Sequence, residues 1–150
     1  MDLQQQLMAD LKTALREHDE VRKSAIRMAI AALKNARVAK NADLTEDEMV
    51  AALAQEVKQR RNAMAEFAKA GRDDLVTSES AELAVLEAYL PEALTEQEIT
   101  ELARQIIAET GASSPKQMGQ VMSVLMPRVR GRADGRQVSQ IVRELLASDR

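Results

Sequence analysis

"LTEDEMVAALAQEVKQRRNAMAEFAKAG", residues 44–71, decides how this chain folds. Thr45 and Glu48 have the spacing of a capping box, in which a hydroxyl and a carboxylate each take up a free backbone N–H at a helix start. Leu44 and Met49 around them have the spacing of a hydrophobic staple. Gly71 at the far end suits a left-handed C-terminal cap. The residues between are mostly strong helix formers, so one long helix to about Ala70 is expected. On its wheel Arg60 shares a face with Leu53, Met64 and Phe67, and Glu56 stands four residues earlier as an ion-pair partner. That pattern reads as an arginine bridging helices through its apolar stem, with a ligand contact as the alternative.

Helical periodicity continues on both sides. Leu3, Leu7, Leu11, Ala14 and Leu15 stripe a first helix from residue 2 to about 17, interrupted by "HDE" at 18–20. Val21, Ala25, Ala29, Leu33 and Ala36 stripe a second helix to about Lys40, with Lys23, Arg27, Lys34 and Arg37 opposite. After Gly71, "RDDL" reads as a turn, and a short helix over roughly 78–90 turns Leu83, Leu86 and Leu90 inward until Pro91 stops it. "LTEQE" at 94–98 repeats the capping device and starts three further helices. The first carries Ile99, Leu102, Ala103, Ile106 and Ile107 and ends at Gly111. The second is capped by Ser114 with Pro115 at its first position, and is striped by Met118, Val121, Met122, Leu125, Met126 and Val129. The third is capped by Asp134 and carries Val138, Ile141, Val142, Leu145 and Leu146 at i, i+3, i+4, i+7, i+8.

The expected fold class is therefore all-α. An N-terminal bundle of long helices, 1–91, is followed by a small C-terminal three-helix unit, 92–150, with the joint at "YLPEALT", 89–95. Composition agrees: Phe67 and Tyr89 are the only aromatics, which disfavours sheets and leaves no platform for stacking single-stranded bases. No apolar run is long enough to cross a bilayer, and no membrane partner is expected. The N-terminus "MDLQQQLMADLK" lacks the basic flank and apolar block of a signal peptide. Without cysteine there is no disulfide, thiolate nucleophile or zinc–cysteine site. A cytoplasmic protein is the resulting expectation.

No cofactor or metal is expected either. Neither phosphate-binding glycine loop occurs, and a single histidine cannot build a typical zinc site. His18, beside Asp19 and Glu20, reads as a solvated turn residue rather than a general base. Met118, Met122 and Met126 read as core rather than a peptide groove, because they share a face with Val121 and Leu125.

Charge is polarised although the net formal charge is only -3. Residues 12–40 hold eight bases against three acids, whereas 73–92 hold six acids and no base. Residues 92–113 hold five acids against Arg104, whereas 114–136 hold five bases against Asp134. The densest basic stretch is "MPRVRGRADGRQV", 126–138. Its arginines surround Gly131 and Gly135, which permit unusual backbone shapes, and precede a helix start that favours anions. Guanidinium forks in that setting suit phosphate. The alternative is a solvated loop whose arginines neutralise the acidic helix over 92–109.

At this point the chain resembles the YqeY family, through "KQRRNAMAEFAKAGRDDL", "AYLPEALTEQEI", "MGQVMSVLMPRVRGRADGRQV" and "IVRELL". That family is similar to the C-terminal tail of the B subunit of glutamyl-/aspartyl-tRNA amidotransferase, which helps hold the tRNA. The resemblance implies an all-α, two-part fold. It also implies a non-catalytic RNA-binding module, for tRNA or another folded RNA, with Lys116, Arg128, Arg130, Arg132 and Arg136 on the phosphates. The alternatives are an accessory protein in glutamine-dependent carbon–nitrogen ligation, partnered with an amidotransferase or tRNA synthetase, and a helical protein–protein adaptor. The family name implies ligase activity with glutamine as amido donor. No catalytic residues for it are evident here: there is no serine–lysine amidase signature, cysteine or ATP loop.

Overall fold

Seven α-helices and one 3-10 turn make up the regular structure of the described residues, 1–148, in the computed structural model. Among those residues there is no strand, so the fold is all-α. The chain divides into two compact units, Met1–Pro91 and Glu92–Arg150.

The first unit holds α1 (Leu3–Arg16), α2 (Glu20–Lys40), α3 (Glu46–Lys69) and α4 (Asp73–Glu87). Its core draws Leu3, Leu7 and Ala14 from α1, Ala25, Ile26, Ala29 and Leu33 from α2, Met49, Leu53 and Val57 from α3, and Leu83 and Leu86 from α4. Both expected end signals of α3 are present. Thr45 and Glu48 form the reciprocal capping box. Gly71 turns through φ +72°, a conformation other residues adopt at a cost. His18 is exposed at the α1–α2 turn with φ +54°. Arg60 donates to Glu56 at 3.0 Å and reaches Glu79 of α4 at 3.8 Å, so it bridges helices.

In this unit one element differs from expectation. α4 begins at Asp73, not near residue 78, and ends at Glu87, followed by turns to Leu90. No side chain caps its start. Asp73 and Asp74 instead sit in the first turn, where carboxylates complement the helix dipole, and Arg72 clasps Asp74 at 3.1 Å.

The second unit holds α5 (Glu96–Thr110), a 3-10 turn (Pro115–Gln117), α6 (Met118–Val129) and α7 (Gly135–Ser148). α5 opens with the Thr95–Glu98 capping box and closes at Gly111 with φ +72°. Ile99, Ala103, Ile106 and Ile107 meet Val121, Leu125 and Val129 of α6 and Val138, Ile141, Val142, Leu145 and Leu146 of α7. Met118, Met122 and Met126 pack at the edge of this core. The start of α6 also differs from expectation: Ser114 makes no side-chain cap, and Pro115 opens the 3-10 turn. The side-chain Oε1 of Gln117 accepts the Ser113 N–H instead, at 2.7 Å.

Candidate nucleic-acid interface

The arginine loop is built from the end of α6 and the start of α7. Val129 is fully buried and anchors it, and its carbonyl accepts the N–H groups of Arg132 at 2.9 Å and Ala133 at 3.1 Å. Gly131 makes the reversal with φ +81°. Asp134 then starts α7: its carboxylate accepts the Arg136 N–H at 3.2 Å, and its carbonyl accepts that of Val138 at 3.0 Å. Gly135 needs no special conformation, in contrast to the sequence expectation. It lies within α7, and a Cβ there would meet only the Met126 methyl at an ordinary 3.6 Å.

The five expected phosphate ligands fall into three situations. Arg128, Arg130 and Arg136 are exposed around the α6–α7 turn. Arg128 lies 3.7 Å from Glu109, an exposed pair of the kind that contributes little. Arg132 is half-buried and tied down. Its Nε donates to the Glu92 carbonyl at 3.1 Å, and its own carbonyl accepts the Leu94 N–H at 2.8 Å. It braces the loop against the segment leading into α5. Lys116 is exposed but sits in the 3-10 turn at the other end of α6, about 18 Å from Arg128 at the usual rise per residue. The structure therefore gathers Arg128, Arg130 and Arg136, uses Arg132 as a brace, and leaves Lys116 apart.

Ion pairing differs between the units. In the first, carboxylates engage Arg22, Lys23, Arg37, Lys40, Arg60, Arg61, Lys69 and Arg72. In the second, Arg128 lies beside Glu109, while Arg130 and Arg136 have no ion pair among the described residues.

These features coincide with a family match. The family model described as Yqey-like protein matches residues 4–146. The chain belongs to the YqeY-like family. It is similar to "Altered inheritance of mitochondria protein 41, mitochondrial" of Pyrenophora tritici-repentis, with 32% identity over 95% of this chain and 80% of that protein. The protein of the same name from Kluyveromyces lactis is 34% identical over 85% of this chain and 67% of its own length. For Saccharomyces cerevisiae strain YJM789 the figure is 34% over 56% of this chain and 46% of the relative. All three relatives are mitochondrial by name, which overturns the cytoplasmic expectation. A cysteine-free chain carries no redox signature, so composition never distinguished one reducing compartment from another.

Three further observations bear on what this YqeY-like chain can do. Among the described residues, no three His, Asp or Glu side chains come together as a metal-binding group. Among those residues, too, no helix is long and apolar enough to cross a membrane. Beside Arg136, a shallow depression along α7 is lined by Ser139, Gln140, Arg143 and Glu144. Arg143 is not among the residues expected from sequence, although its seven-residue spacing from Arg136 is visible in the chain.

Proposed function

We propose that this chain is a non-catalytic helical module that binds folded RNA, tRNA above all, through the arginines of the α6–α7 turn. One observation carries the reading: the second unit leaves Arg130 and Arg136 exposed and without an ion pair among the described residues, while the first unit neutralises most of its bases internally. Exposed guanidinium groups without a carboxylate are free to form bidentate contacts with phosphate. Neither aromatic residue lies in this unit, which favours backbone and shape readout of a folded RNA over stacking of single-stranded bases. The likeness to the amidotransferase B-subunit tail supports tRNA as the first RNA to try.

The test is a mobility-shift titration of bulk tRNA with the parent and with Arg128→Ala/Arg130→Ala. Both side chains are exposed, so the variant keeps its fold. The parent is expected to shift tRNA, and the variant to need several-fold more protein. Equal titrations would remove the loop from the site. Arg132→Ala is unsuitable here, because it also releases the Glu92 carbonyl.

A further inference from the structure

We infer that the outward face of α7, centred on Arg136 and Arg143, is a track for the phosphate backbone of a double-stranded RNA stem. This rests on the RNA-binding reading above and names the form of RNA and an additional contact residue. At 100° per residue, seven residues bring Arg143 back to within about 20° of Arg136, and both stand opposite the buried stripe of Val138, Ile141, Val142, Leu145 and Leu146. Both are exposed, and neither has an ion-pair partner among the described residues. Together with Ser139 and Gln140 they line the depression on this helix.

Glu144 is the one acid lining that depression. It lies about 100° round the helix from Arg143, and its carboxylate accepts the Gln140 amide at 3.3 Å. Glu144 is exposed on the same face and offsets part of its charge, and the two guanidinium groups outnumber it. Seven residues of helix separate them by about 10 Å, a distance that spans several successive phosphates of one strand. The helix backbone fixes the spacing of the two positions, which suits a strand of fixed geometry better than a flexible one. Stems are recognised mainly through phosphates, 2′-hydroxyls and shape. The surface offers donors of the right kind and no ring for an unstacked base: Phe67 and Tyr89 both belong to the first unit.

The experiment is fluorescence anisotropy with two labelled RNAs, a perfectly paired hairpin and an oligouridine of equal length. The parent, Arg143→Ala, Glu144→Gln and Arg128→Ala/Arg130→Ala are each titrated over a salt series, with circular dichroism to show that every variant is folded. The hairpin is expected to bind several-fold more tightly than oligouridine. Arg143→Ala is expected to weaken hairpin binding several-fold and to reduce the salt slope by about one. Glu144→Gln is expected to strengthen it. If Arg143→Ala binds the hairpin as the parent does while the loop variant is weakened, the α7 track is wrong and the loop site stands. Equal or tighter binding of oligouridine overturns the duplex preference. A parent that binds neither RNA overturns the proposed function together with this inference.

Discussion

Tyr89 joins α1 to the end of α4 by donating its hydroxyl to Asp10. Burial, then the hydrogen bond to Asp10 and its negative charge, push the phenol up to about 12, partly opposed by Arg22. A raised phenol pKa favours the neutral folded form. Its contribution is complete below the unfolded value near 10 and disappears as pH rises through about 12. Tyrosinate absorbance should therefore titrate well above the usual range in the folded protein, and Tyr89→Phe should cost about 1 kcal/mol in denaturant melts. An ordinary midpoint would mean that the buried setting and the Asp10 contact are both absent in solution. Glu48 shows the opposite sign. The Lys40 ammonium at 2.6 Å and the Thr45 backbone and hydroxyl hold its carboxyl at about 2. Its stabilising effect is present above the ordinary 4.5 and is lost as pH falls towards about 2. Lys40→Ala should move the Glu48 titration, followed by carboxyl NMR, back towards the ordinary range, and an unchanged midpoint would exclude Lys40 as its cause.

Helix ends separate what was legible in the chain from what was not. The boxes at Thr45–Glu48 and Thr95–Glu98 are local patterns, complete within four residues, and both appear as expected. Thr95→Ala should cost about 1 kcal/mol of stability in urea melts, with Thr95→Ser nearly neutral; equal loss in both would point away from the hydroxyl. The apolar stripes were legible for the same reason, since one face of a 3.6-residue period needs no knowledge of its neighbour. The start of α4 was missed because it carries no capping side chain, only Asp73 and Asp74 acting through the helix dipole. The brace made by Arg132 was missed because its partner, the Glu92 carbonyl, is forty residues away in the chain. Lys116 is near the loop in sequence, but the length of α6 separates them, which charge counting along the chain does not register.

At the scale of the molecule, the two hydrophobic cores make separable demands. Leu125 is fully buried at the centre of the second, and Leu125→Ala should cost about 2–5 kcal/mol, much of what a unit of this size can supply. Tyr89 belongs to the first unit and is the only tyrosine, so its emission reports that unit while circular dichroism reports both. The variant should lose part of its helical signal early and keep the parent's tyrosine transition. A shift of both together would show a single cooperative structure. The arginine surface belongs to the second unit alone, and the central claim is that it holds RNA by phosphate contacts. The most direct test is the salt dependence of tRNA affinity for the parent and for Arg128→Ala/Arg130→Ala. The account predicts that log affinity falls linearly with log salt and that the variant's slope is smaller by about two. Identical slopes for the two proteins, or no tRNA binding by the parent at low salt, would contradict it.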